Sequence, residues 1–306
     1  MRNRLQRRYA RYWQLYVFLL IPVVYILIFS YYPMLGLQIA FKKFNFKGGI
    51  WGSPWVGLYQ FRKFLNAYQF KLVLKNTLVL SAYSILAAFP FPILFALTLN
   101  VIQAKKFKKF AQTVTYIPHF ISVVVLVGML MQIFHPLTGV YGALARARTG
   151  STPADLLASP STFPHMYVWS GVWQGFGYNS IIYLAALSGV SAELHEAAEI
   201  DGASRLQRVI HIDFPAILPT VTIMLIMRMG SVMSLGFQKI YLMQNTLNLS
   251  TSEVISTFVY KKGLASGAGN DYSYSTAIGM FNSVINLLLL VCVNGVSRKL
   301  SENSLW

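Results

Sequence analysis

The sequence predicts an all-α integral membrane protein with six transmembrane helices. Three observations predict it. Hydrophobic residues make up 55% of the 306 residues and charged residues only 11%, against roughly 25% charged in soluble domains. Six apolar stretches are each long enough to cross about 30 Å of hydrocarbon as a helix. The 26 Lys and Arg residues gather at the ends of those stretches, where bilayer topology puts them. The net charge of +17 therefore reflects membrane placement, and no nucleic-acid partner is expected.

The stretches run roughly over Trp13–Pro33, Asn76–Leu97, Val114–Phe134, Tyr167–Leu187, Ala216–Phe237 and Ser275–Val296. Only the fifth holds an ionisable Asp, Glu, Lys or Arg, namely Arg228. The first follows Arg2, Arg4, Arg7, Arg8 and Arg11 and is uncharged from Tyr12 to Phe41. That is longer than a signal-peptide core, and Tyr31, Tyr32 and Pro33 stand where small residues would be needed for cleavage. An uncleaved first span is the reading. Cys292 is the single cysteine, so no intrachain disulfide exists.

An even number of spans puts both termini on one side. Segments 1–11, 100–112, 188–215 and 297–306 hold 13 Lys and Arg, and the three opposite loops hold 12 over nearly twice the length. The denser side is cytoplasmic by the positive-inside rule, although Lys42, Lys43, Lys47, Lys71 and Lys75 on the outer side run against it. The division expected is one domain over 1–306. It comprises 1–75 (N-terminal tail, first span, outer loop), 76–298 (a five-helix core containing the polar loop 191–215) and 299–306 (cytoplasmic tail). Residues 240–262 alternate polar and apolar and read as a short surface helix.

The loop 191–215 is the most informative segment. Ser191 suits a helix N-cap and Glu193 its first turn. Gly202 ends that helix. Ser204 with Gln207 fits a capping box that opens a second one. Asp201 and Arg205, four apart, can pair. Pro215 and Pro219 mark the entry to span five. The loop carries Glu193, Glu196, Glu199, Asp201, Arg205, Arg208 and Asp213. At about 2.5–3.5 kcal/mol per charge at mid-membrane, burying them in lipid would cost on the order of 20 kcal/mol, so the hairpin faces water or a protein.

Glu196-Ala197-Ala198, Asp201-Gly202-Ala203, Ile212, Pro215 and Pro219 resemble the EAA loop of ABC-importer permeases. Tyr32-Pro33-Met34, Ala40-Phe41, Gly48, Ser53 to Leu58, Asn76-Thr77 and Ser301 to Trp306 are similar to the carbohydrate-uptake branch, especially its LplB-like permeases for oligosaccharides and polysaccharide fragments. The resemblance implies that the hairpin is a cytoplasmic coupling-helix loop seated in a cleft of an ATPase. Glu196 would meet a basic group there, Ala197 and Ala198 would allow close approach, and Gly202 would set the angle between the two helices. Val209 departs from the aromatic residue common at that position, which implies slightly different packing on the ATPase. The resemblance also implies a second, related permease, two ABC ATPase subunits that bind ATP and Mg, an extracytoplasmic solute-binding protein, a saccharide substrate, and a place in the bacterial cytoplasmic membrane.

The chain has no Gly-x-x-x-x-Gly-Lys-Ser/Thr phosphate loop, so energy has to come from another polypeptide. His195-Glu196-x-x-Glu199 imitates a zinc-protease pattern but lacks the last histidine; a solvated helix face is the simpler reading, with no metal. Arg228 reads either as a pathway-lining residue or as a snorkelling arginine. Trp173, Tyr178, Asn179 and Tyr183 offer rings and polar tips to a sugar, or mark the membrane interface. Asn282 and Asn286 share a helix face and serve sugar hydroxyls or a neighbouring helix. Two rival classes fit less well. An ion-coupled secondary sugar transporter would carry carboxylates within its spans, and a membrane enzyme would carry a cluster of catalytic groups.

Overall fold

The structure, a computed structural model, describes residues 12–300. The five N-terminal arginines and Ser301 to Trp306 lie outside the described residues. The helices in order are α1 (Trp13–Ile26), α2 (Tyr59–Leu65), α3 (Tyr68–Ala88), α4 (Pro90–Val101), α5 (Lys105–Tyr116), α6 (Val123–Ile133), α7 (Val140–Thr149), α8 (Phe163–Asn179), α9 (Ile181–Leu187), α10 (Ala192–Ile200), α11 (Arg205–Arg208), α12 (Phe214–Met229), α13 (Phe237–Met243), α14 (Leu249–Ser252), α15 (Ile255–Tyr260) and α16 (Tyr272–Leu300). Among the described residues there is no strand, only an isolated bridge between Lys42 and Trp55.

Four helical stretches are long and apolar enough to cross a membrane: Trp13–Phe41, Tyr68–Val101, Arg205–Met229 and Tyr272–Lys299. A fifth is formed if Lys105–Phe120 and Val123–Ile133 count together, although they meet at a 98° bend. The sequence runs six apolar stretches, and the third and fourth are not among these four. In the third, Pro118 sits in a 3₁₀ turn and Ser122 caps a new helix by accepting from Val125 N at 3.3 Å. In the fourth, α8 stops at Asn179 and α9 starts after Ser180, whose hydroxyl donates back to the Gly177 carbonyl at 2.5 Å. Hydropathy averaged along the chain does not register a bend made by one proline or one capping serine.

The chain divides into two compact units: 12–66 with Lys261–Met280, and Ala67–Tyr260 with 281–300. In the first unit, Lys42 explains one of the outer lysines that ran against the charge rule. It is buried, donates to the carbonyls of Ile50 (2.8 Å) and Trp51 (3.4 Å), and lies 4.9 Å from the Trp55 ring centre. Carbonyl dipoles and a ring face stabilise that ammonium, so it organises the loop. Lys63 pairs with Asp271 at 2.7 Å in the same unit.

The second unit has two apolar clusters. Leu80, Val127, Phe163, Val168 and Val172 pack with Ile240, Met243 and Val254 in one. Ile93, Ala96, Leu97, Tyr183, Leu187 and Ile217 form the other. The segment 240–262 is thus no surface helix. It folds as α13, α14 and α15, and Ile240, Met243, Val254, Ile255 and Phe258 are buried. Its alternation reflects short helices with one apolar side each. Asn76 and Thr77 hold it in place: the Asn76 amide donates to the carbonyls of Ser250 and Glu253, both at 3.0 Å, and Thr77 Oγ1 accepts from Ile255 N at 3.0 Å.

Close helix approach is carried by Gly177. A Cβ there would lie 2.3 Å from the Thr115 carbonyl oxygen, a contact only glycine permits between α8 and α5. Gly177→Val should therefore destabilise the purified protein by about 1–3 kcal/mol, read as a lower melting temperature. Gly128→Ala, with nothing within 4 Å of the new Cβ, should leave it unchanged. Equal melting of the two variants would refute the close crossing.

Candidate functional site

The hairpin between α9 and α12 folds as its residues dictate. Ser191 caps α10 by accepting from Glu193 N at 3.2 Å. Gly202 takes φ of +78°, a left-handed conformation open to glycine at little cost. Ser204 and Gln207 make both bonds of the capping box, at 3.3 and 2.7 Å. The pairing differs from the expected one. Asp201 and Arg205 form no ion pair; Arg208 instead reaches Glu199 at 2.9 Å, because the Gly202 turn breaks the four-residue helical spacing between Asp201 and Arg205.

Glu196, Ala197, Asp201, Gly202 and Pro215 are exposed, with Ala198, Ala203 and Ile212 partly so. Between the charges stand bare apolar side chains: Ile200 is 87% exposed and Leu206 68%. A polar, water-facing hairpin that also presents large aliphatic groups has the composition of a protein-docking surface. The root of the hairpin is fixed. Asp213, only 2% exposed, accepts from the Asn100 amide at 3.1 Å and faces His195 Nε2 at 3.2 Å. One carboxylate therefore ties α10, the π turn leading into α12, and the end of α4. His195, half of the zinc look-alike, is taken up in this contact. Among the described residues no three His, Cys, Asp or Glu come together as metal ligands.

The other residues singled out from the sequence fall into two groups. Tyr178, Asn179, Tyr183 and Arg228 line one cavity of about 630 Å³, with Phe89, Pro92 and Met224. The Tyr178 ring stacks on His119 at 3.8 Å. Trp173 is exposed and is not among the residues lining that cavity. Asn286 accepts from Met233 N and donates to Ser234 Oγ, both at 2.8 Å, so its amide is spent on holding α16 to the segment after α12. The Asn282 carbonyl oxygen is buried without a partner.

Sequence reasoning missed Lys239, and it counted Asp213 among the solvent-facing charges of the hairpin, whereas the fold buries it against His195 and Asn100. Lys239 is buried, and its ammonium donates to the Tyr167 carbonyl at 2.9 Å and lies 4.9 Å from the Tyr167 ring centre. Burial lowers its pKa from 10.5 to about 8. The signal available in the sequence was a lone cation two residues beyond an apolar span. Asp213 carried a weaker one, an acid between two isoleucine-rich runs.

Residues 88–302 match the family described as binding-protein-dependent transport system inner membrane component. Protein LplB of Bacillus subtilis (strain 168) is 40% identical, over 95% of this chain and 91% of its own length. The polygalacturonan/rhamnogalacturonan transport system permease protein YteP of the same organism is 38% identical, over 100% of this chain and 94% of its own. Among solved structures, a chain of a bacterial ABC transporter involved in import of the acidic polysaccharide alginate superposes with a TM-score of 0.88 at 37% identity, covering 97% of this chain and 99% of that one. A chain of the alginate transporter in complex with its pentasaccharide-bound periplasmic protein gives 0.88 at 36% identity, covering 99% and 100%. A multi-pass inner-membrane chain that matches along its whole length, this protein belongs to the family of binding-protein-dependent transport system inner-membrane components, as a permease subunit of the carbohydrate ABC importers and not an enzyme.

Proposed function

We propose that this chain is one of two related permeases in an ATP-driven importer of oligosaccharides or polysaccharide fragments. The whole of 1–306 serves as a single transmembrane domain with six membrane passages and both termini in the cytoplasm. The bent pair α5–α6 and the broken pair α8–α9 supply two of those passages. Two ATPase subunits bind ATP and Mg. A loaded extracytoplasmic binding protein delivers the saccharide to the outer face.

The observation that carries this reading is the exposed hairpin 191–215 on a fixed root. ATPase closure pushes α10 and α11. The Asp213 contact passes that displacement to α4 and α12, whose residues line the cavity holding Arg228. Access to the pathway then alternates between the two faces. The names of the relatives support a saccharide cargo: one carries polygalacturonan or rhamnogalacturonan and a solved one alginate. The rival, an ion-coupled sugar transporter, has no carboxylate inside its apolar stretches to carry the ion.

A cysteine at position 198 (Ala198→Cys) in the assembled complex should crosslink to an ATPase subunit through a short reagent; failure with every short reagent would refute docking at α10. Gly202→Val forces a branched residue to φ of +78°, a strain of about 1–2 kcal/mol. It should cut ATP-driven uptake several-fold while membrane insertion is kept, and full-rate uptake would mean that the hairpin angle does not matter. Asp213→Ala leaves the Asn100 amide unpaired and should cost about 1–3 kcal/mol, seen as a lower melting temperature. Asp213→Asn keeps an acceptor and should recover most of the loss.

A further inference from the structure

A second cavity, of about 230 Å³, lies in the same unit as the first, and the two share Arg228 and Ala88. Its lining is unusual for the interior of a membrane domain. Two cations, Arg228 and Lys239, are among its lining residues, together with Ser81, Ser84, Ser231 and Ser234; of these four hydroxyls, Ser81 and Ser231 donate to carbonyls and Ser234 accepts from Asn286. No Asp or Glu is among its lining residues. Neither cation is a member of the ion pairs Lys63–Asp271, His195–Asp213 or Arg208–Glu199.

Three details indicate a cavity built to receive an anion. An ammonium has three protons to donate, and Lys239 has one hydrogen bond to protein, at the Tyr167 carbonyl. Gly171 keeps the space beside it clear, since a Cβ there would come within 3.3 Å of Nζ. The Ser84 hydroxyl is buried and has no partner, although buried hydroxyls are normally satisfied. A buried cation without a counter-charge is costly, and so is an idle buried hydroxyl. Both costs fall when an anionic ligand enters.

We propose that Arg228, Lys239 and Ser84 form a carboxylate-reading subsite on the transport pathway, so that the permease itself selects saccharides bearing uronate groups over neutral ones. This rests on the saccharide-import reading above. The sugar ring lies in the larger cavity, against Tyr178 and Tyr183, and its carboxylate reaches through to the cations. The alternative role for Lys239 is a plain tie between α13 and the Tyr167 carbonyl. That role stabilises the fold but does not discriminate between a charged sugar and its neutral ester.

The test is ATP-driven uptake by the complete importer in proteoliposomes, with its own binding protein. The probes are trisaccharides of galacturonate and mannuronate and the methyl esters of each. The same binding protein serves every variant, so a change in the acid-to-ester uptake ratio belongs to the permease. Arg228→Gln and Lys239→Met should each lower that ratio about tenfold or more, the size of a lost charge-assisted hydrogen bond. Arg228→Lys, which keeps the charge, should hold the ratio within a few-fold of wild type. Should Lys239→Met fail to assemble, Arg228→Gln decides, because that side chain is exposed. A ratio unchanged in Arg228→Gln, or a wild-type preference for the esters, overturns the subsite while leaving saccharide import intact. A wild-type complex that imports none of these sugars, charged or esterified, overturns both.

Discussion

An ionised side chain in hydrocarbon costs several kcal/mol, and that constraint arranges this molecule. It empties five of the six apolar stretches of Asp, Glu, Lys and Arg. It concentrates four of the nine acidic residues within Glu193 to Asp201, in a hairpin that faces water. Two buried charges are accounted for by a local arrangement. Lys42 is held by carbonyls and tryptophan faces, and Asp213 by an amide and an imidazole. Arg228 and Lys239 stand apart from this pattern, since they open onto a cavity with no acid in its lining.

The hairpin holds its shape with little stability of its own. α10 has nine residues and α11 four, far too short to persist alone. Two caps and a glycine turn define their shape, and one buried carboxylate anchors them. Because Asp213 touches residues of both α10 and α4, a displacement of the hairpin cannot leave the core unaffected. At the tip Ile200 and Leu206 stand exposed beside the charges, so the hairpin pairs a fixed root with a partly apolar tip.

Within the second unit, small and polar residues do work that apolar packing alone cannot do in a membrane protein. Lipid tails are as apolar as leucine, so helices associate through close approach and hydrogen bonds. Gly177 lets α8 approach the backbone of α5 at Thr115. Asn76, Thr77 and Asn286 spend their polar atoms on carbonyls and amides of neighbouring segments. Packing was the favoured of two roles for Asn286, and its two bonds go to Met233 and Ser234 of the neighbouring segment.

The sequence by itself determined the class, the positions of the apolar stretches and the caps and turn of the hairpin, though not its ion pair or its buried Asp213, because caps, a positive-φ glycine and helix breakers act over three or four residues. The resemblance read from its motifs also held at the level of family. Tertiary structure alone decided the rest. Whether Val114–Phe134 is one straight helix turned on Pro118 and Ser122, and whether 240–262 lies on the surface turned on what packs against it. Lys239 and Asp213 meet partners 72 and 113 residues away in the chain, and no local pattern encodes such a meeting. Charge in a membrane protein is legible as a cost along the chain, but what each surviving charge faces is settled only when distant helices come together.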